Sequence, residues 1–200
     1  MNESEKLLKN GRLSVAYLQL DGEIQSLVLD EFNNLLRQNT AVDSHTKKHM
    51  HESILPAIAV YRVLLEKGLS KRESFQAVRN SVLETAKPMK DFFESLGKLP
   101  FFFPLFRIMC PLSTMKPFCG TEWKFVWQKN TPSTIEWECH NCIYCNTFKK
   151  YGVRELTTIF CESDDIVYGS LKHAQWARTQ TMGRGAKYCD FRFYNKRKDQ

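Results

Sequence analysis

Residues 123–137, W-K-F-V-W-Q-K-N-T-P-S-T-I-E-W, decide the fold. Trp123, Phe125 and Trp127 fall on alternate positions, as do Ile135 and Trp137. Asn130-Thr131-Pro132-Ser133 between them has the composition of a turn. A period of two puts the rings on one face, so the stretch predicts an antiparallel hairpin with one buried side.

Downstream, Cys139 to Tyr151 reads as a helix ended by Gly152, and Val153 to Leu171 as a second helix. Trp176–Thr181 and Tyr188–Tyr194 read as two more strands, joined by Met182-Gly183-Arg184-Gly185. Upstream the pattern is helical. Glu23 to Gln38 is amphipathic, and a long helix from His45 to Lys67 carries Pro56, which predicts a kink or break. Ser70-Lys71-Arg72-Glu73 is a capping box that starts a helix reaching about Lys87, and Pro88 opens another that ends near Gly97. Pro100 to Lys116, rich in Phe and Pro, reads as a kinked buried helix or a hydrophobic cover. Residues 1–20 leave strand and helix open.

The sum is an α+β chain, an N-terminal helical half followed by a ββααββ antiparallel-sheet half. Two hundred residues suit a single domain spanning 1–200: a mainly helical part over 1–119, a sheet-containing part over 120–195 and a basic tail over 196–200.

Lys and Arg number 29 against 22 Asp and Glu, a formal charge of +7. Part of the surplus is the tail Asn195-Lys196-Arg197-Lys198, and no basic stripe interleaves with aromatics. The balance favours an anionic small molecule over nucleic acid. The start, Met1 to Lys6, is acidic and polar, unlike an export signal, and the most apolar run, Pro100 to Leu112, is too short to span a bilayer. Seven cysteines without an export signal point to reduced thiols in a cytoplasmic protein.

Chemistry concentrates in residues 157–171, T-T-I-F-C-E-S-D-D-I-V-Y-G-S-L. On a helix Cys161, Asp164 and Asp165 stand at i, i+3 and i+4 and share one side. Carboxylates alone raise a thiol's pKa, so a nucleophilic Cys161 needs a positive partner, for which His51, His140, Arg178 and Arg184 are the candidates. The acids can instead orient a water or pair with an amidinium-like group. A plain, partly buried helix face explains the same spacing. Cys189-Asp190 repeats the thiol–acid pairing near the C-terminus. Cys139, Cys142 and Cys145, spaced C-x-x-C-x-x-C, leave metal binding, core packing and an active-site role open. His45 and His49 have the i, i+4 spacing of a metal pair, but Thr46, Lys47 and Lys48 beside them predict an exposed face.

Several short motifs occur in order: Cys142-Ile143-Tyr144, then residues 151–156 (Y-G-V-R-E-L) and 159–165 (I-F-C-E-S-D-D), then 178–181 (R-T-Q-T) with Gly183, and 189–193 (C-D-F-R-F). With residues 51–56 (H-E-S-I-L-P) and Ala59-Val60-Tyr61 they resemble the L-2-amino-thiazoline-4-carboxylic acid hydrolase family over roughly residues 45–195. The final strand pair is also faintly similar to vinyl-reductase-type small-ligand-binding domains. The family resemblance implies hydrolytic opening of a cyclic isothiourea to N-carbamoyl-cysteine, or of a related small amidine or amide, a reaction classed with non-peptide carbon–nitrogen hydrolysis. It implies Cys161, Asp164, Asp165, Cys189, Asp190 and His51 as catalytic residues. Tyr61, Cys142, His140, Arg178 and Arg184 would bind substrate. No metal, cofactor, membrane or nucleic-acid partner is implied. The competing reading is a non-catalytic domain that binds a small ligand or metal in the same Cys/Asp pocket.

Overall fold

The computed structural model describes residues 2–40, 44–115 and 122–196. The expected boundary at Gly120 and the tail beyond Lys196 lie outside them. The element order is α1 (Glu3–Asn10), α2 (Ser14–Gln19), α3 (Gly22–Gln38), α4 (Ser44–His49), α5 (Leu55–Glu66), α6 (Lys71–Glu84), α7 (Lys87–Gly97) and α8 (Phe102–Met115). It continues with β1 (Lys124–Asn130), β2 (Thr134–Asn141), α9 (Ile143–Lys150), α10 (Thr157–Tyr168), β3 (Ala174–Ala177) and β4 (Cys189–Asn195). A helical N-terminal half thus precedes a four-stranded antiparallel sheet ordered β1-β2-β4-β3, the α+β class that the hairpin pattern predicts.

Local chemistry sets the helix starts. Asn2 caps α1 by accepting the Glu5 N–H at 2.8 Å, and Asp21 caps α3 through Ile24 N–H at 3.0 Å. The Ser70/Glu73 box is formed in both directions at α6. Between α4 and α5 the helix widens into a single π turn, Met50–Ile54. Pro56 sits at the start of α5. It lacks the N–H that would close an α-helical bond to the Glu52 carbonyl, which is a local reason for the irregularity. That carbonyl accepts the backbone N–H of Arg12 at 3.2 Å.

Helix α5 is the axis of the helical half: all but Arg62, Leu65 and Glu66 are buried. Such side chains contribute about 1.5–3 kcal/mol each through removal from water. It packs on α3 and α6 around Val28, Phe32, Leu35, Val78 and Val82. A second cluster joins the sheet to α8 through Phe102, Phe103, Ile135, Trp137 and Phe193. The register pairs Phe125 with Cys139, Trp127 with Trp137, Trp137 with Phe191 and Cys139 with Cys189. These residues share one face. Trp137 and Phe191 stack at 5.2 Å with planes 2° apart.

Four expectations change. Residues 1–20 hold two short helices. Cys139 closes β2 instead of opening a helix, because its backbone pairs with Cys189, and the helix starts only after Cys142. The strand expected over 176–181 stops at Ala177: the Asp190 carboxylate takes the N–H groups of Thr179 and Gln180 at 3.0 and 2.8 Å, where a neighbouring strand would have supplied carbonyls. The apolar helix α8 is only half covered, with Phe102, Phe103 and Cys110 buried but Phe101, Ile108 and Leu112 exposed. Among the described residues no helix is long and apolar enough to cross a membrane.

Candidate active site

Between the aromatic face of the sheet, α10 and the π turn lies a cavity of about 560 Å³. That is the size of a small-molecule site. Of the residues singled out in the sequence, His49, Cys139, Cys142, Cys161, Asp164, Arg178 and Cys189 line it.

Arg178 follows β3 and is buried, its side chain 2% exposed. Its guanidinium meets Asp164 at 3.1 Å and Asp165 at 2.7 Å and donates to the Cys161 carbonyl. It also lies over the rings of Trp176 and Phe191. Its charge is committed to the two acids. Asp165 is further held by the Trp176 indole N–H at 3.0 Å and faces away from the cavity lining. Asp164 differs: its side chain, 41% exposed, opens onto the cavity. The low-dielectric surroundings push its pKa up to about 6 even though Arg178 pulls the other way.

The thiols are not equivalent. Cys161 is pushed up to about 11, by burial first and then by Asp164, so it is a protonated thiol at neutral pH. It contacts the Thr181 hydroxyl and packs under Gly183. Cys189 is pushed up to about 12 by burial, its sulfur accepting the Met182 N–H at 3.2 Å. Cys142 goes the opposite way. It is the N-cap residue of α9 in an extended conformation, φ −140° and ψ 116°. Its sulfur lies beside the Cys139 thiol and the start of α9 at Tyr144 and Cys145, and these lower its pKa despite burial. A helix N-terminus favours the thiolate for the same reason that it binds anions. The Cys139 hydrogen can turn to this sulfur or to the Asn141 carbonyl at 3.0 Å, and that thiol is pushed up.

The remaining candidates lie elsewhere. Strand alternation puts Asp190 on the face opposite Cys189, where it ties down Thr179 and Gln180 and meets Arg192 at 3.4 Å. Tyr61 donates to Glu155 at 2.8 Å inside the helical core. His140 is exposed, bonded to Glu138 at 2.7 Å and stacked on Tyr188. His51 and Arg184 are not part of the lining, and Arg184 is 3.8 Å from Asp165 on the outer side. Cys139, Cys142 and Cys145 are divided among strand, cap and helix. Among the described residues no three His, Cys, Asp or Glu side chains come together as a metal site.

Arg12, His49, Ser53 and Tyr144 also line the cavity, although the sequence reading gave none of them a place in the site. Tyr144 receives the Ser53 hydroxyl and lies 3.0 Å from His49 Nδ1. The α4 face expected to be exposed is therefore an inner face, with Thr46 fully buried and His49 half-buried. The missed signal is Thr46, His49, Met50 and Ser53, an i, i+3, i+4, i+7 run. Thr157 Oγ1, buried in the cavity wall, has no hydrogen-bond partner among the described residues.

Gly183 sets how closely the loop after β3 covers Cys161. A Cβ there would stand 3.0 Å from Cys161 Sγ and 3.1 Å from Thr157 Cγ2. Gly183→Ala is expected to cost about 1–3 kcal/mol, as other overpacked sites do. Thermal unfolding checks this, and adding Cys161→Ala should recover part of the loss.

A cavity of small-ligand size, a thiol at a helix N-terminus and a cavity-facing acid define a small-molecule site of the kind that hydrolases use. Residues 47–193 match the model of the L-2-amino-thiazoline-4-carboxylic acid hydrolase family, and the chain belongs to that family. No curated protein and no solved structure gives a match.

Proposed function

We propose that the chain is a hydrolase that opens a small cyclic isothiourea by attack of the Cys142 thiolate on the amidine carbon. The observation that carries this reading is the placement of Cys142 at the N-terminus of α9, its sulfur lining the cavity onto which Asp164 also opens. In 2-amino-thiazoline-4-carboxylate that carbon is bonded to two nitrogens and the ring sulfur. Attack by Cys142 forms a C–S bond, and collapse breaks the bond to the ring sulfur, which leaves as a thiolate and takes a proton from Asp164. The substrate is then held as an open isothiouronium on Cys142. Asp164, now ionised, takes a proton from water as the water oxygen adds to the same carbon. Expulsion of the Cys142 thiolate leaves a urea, N-carbamoyl-cysteine, and the second proton passes to solvent. A carboxyl group with a pKa of about 6 is suited to both halves, because it gives and takes a proton near neutral pH. Arg178 holds Asp164 in place and leaves its second oxygen for the ligand. On this reading Cys161 and Cys189 are wall thiols.

Incubation of the full chain with L-2-amino-thiazoline-4-carboxylate tests the reading. One new free thiol per substrate consumed is expected. Saturable binding without thiol release would overturn it in favour of a binding domain.

A further inference from the structure

We propose that Arg12 is the anchor for the anionic end of the ligand, and that the site selects a short molecule with a carboxylate at Arg12 and its amidine carbon beside Cys142 and Asp164. The proposal rests on the ring-opening reading for the reacting carbon, and on independent geometry for the anchor. Arg12 lines the cavity, and its only side-chain hydrogen bond among the described residues is a long one, 3.4 Å, to the Thr85 carbonyl. No carboxylate lies within ion-pair distance of it among the described residues, whereas Arg62, Arg79 and Arg178 all have one. Burial pulls its pKa down, while Tyr144 and Asp164, both cavity residues, act on it from across the space. A half-buried guanidinium with its fork of donors unused by a protein carboxylate is suited to take one from a ligand in two-pronged geometry.

The other cations do not serve. Arg178 is committed to Asp164 and Asp165, and Arg184 lies outside the cavity. Lys48 reaches the rim with a side chain 76% exposed.

The backbone around Arg12 is fixed on both sides. Its N–H donates to the Glu52 carbonyl left without an α-helical donor by Pro56, and its own carbonyl accepts the Ser81 and Thr85 hydroxyls at 3.1 and 3.2 Å. Gly11 permits the approach, since a Cβ there would stand 2.5 Å from the Leu7 carbonyl oxygen and 3.1 Å from that of Glu52. The π turn and α6 thus hold a residue whose side chain has little to bind within the protein. Arg12 also lies outside residues 47–193, so the anchor comes from a segment that the family match does not include. On this proposal, selectivity for the anionic end comes from the turn between α1 and α2.

The test measures binding apart from turnover. Full-length Cys142→Ser protein is titrated calorimetrically with L-2-amino-thiazoline-4-carboxylate and with 2-amino-2-thiazoline, which lacks the carboxylate. Adding Arg12→Gln should weaken the first compound by roughly 10–100-fold and leave the second unchanged. Arg12→Lys should recover part of the loss, since it keeps the charge without the fork. Equal weakening of both compounds, no weakening of either, or no binding of the carboxylate compound while Arg12 is intact would overturn the anchor. Turnover separates the two ideas. Wild-type protein that binds the carboxylate compound through Arg12 but releases no thiol sinks the hydrolase reading alone. Thiol release by Arg12→Gln at the wild-type KM sinks the anchor alone.

Discussion

Cys142→Ser is expected to lower thiol release from the thiazoline by a factor on the order of 10³ or more, with thermal stability little changed. Serine has nearly the same shape and is a favoured residue at a helix N-cap, so the start of α9 is kept. What disappears is an ionised nucleophile, because a hydroxyl does not ionise at neutral pH under the donors that suffice for a thiol. Cys161→Ser should behave differently. That sulfur is already protonated, pushed up to about 11 by burial and by Asp164, so the change alters packing under Gly183 and costs the rate less than about 10-fold. Ultraviolet titration of the thiolates gives a second readout. The thiolate that forms at the lowest pH in wild type should be missing in Cys142→Ser and present in Cys161→Ser. The reverse order of effects, with Cys161→Ser inactive and Cys142→Ser active, would return the nucleophile to α10.

The difference between those two cysteines shows where sequence reading stops. The i, i+3, i+4 face of Cys161, Asp164 and Asp165 was legible because helical periodicity is local, and α10 presents it. The hairpin of tryptophans was legible for the same reason, and it fixed the α+β class. The position of Cys142 was not. C-x-x-C-x-x-C at three-residue spacing looks like one helix, and only the pairing of Cys139 with Cys189, fifty positions away, ends the strand in time to leave Cys142 as the cap. The positive partner sought for Cys161 was one of four candidates in the sequence. Choosing Arg178 needs the turn after β3, which Asp190 pulls out of the ladder from the opposite face of the sheet. Arg12 was invisible, since the groups that fix it, Glu52, Ser81 and Thr85, are 40 to 73 residues away in the chain. Local patterns gave the elements. Long-range contacts assembled the site.

Asp164→Asn is the second large effect expected, and it acts on rate and stability in opposite directions. As the group that passes a proton between water and the ring sulfur, Asp164 accounts for about 10²–10⁴-fold of the rate, the range usual for general acid–base catalysis. The amide should remove that factor, along with the fall in kcat/KM as pH rises through about 6, where Asp164 loses the proton it gives to the ring sulfur. For stability, the carboxyl has a pKa of about 6 in the folded cavity against an ordinary value of 3.8. Below about pH 4 it is protonated in folded and unfolded chains alike. As pH rises through 6 the unfolded chain has already ionised its copy, while the folded chain must ionise one in a poorly solvated wall, so the contribution present at low pH is lost. The amide cannot ionise and avoids this loss. Asp164→Asn should therefore match wild type in melting temperature near pH 4, gain on it between pH 4 and 6, and hold a constant advantage above. Arg178 keeps Asp165 and the Cys161 carbonyl in either protein, so the wall itself stands. A carboxylate retained for packing would give the reverse, an amide that melts lower at pH 7 and turns over normally. A variant both more stable and less active marks an acid placed in the cavity for chemistry at a cost to the fold.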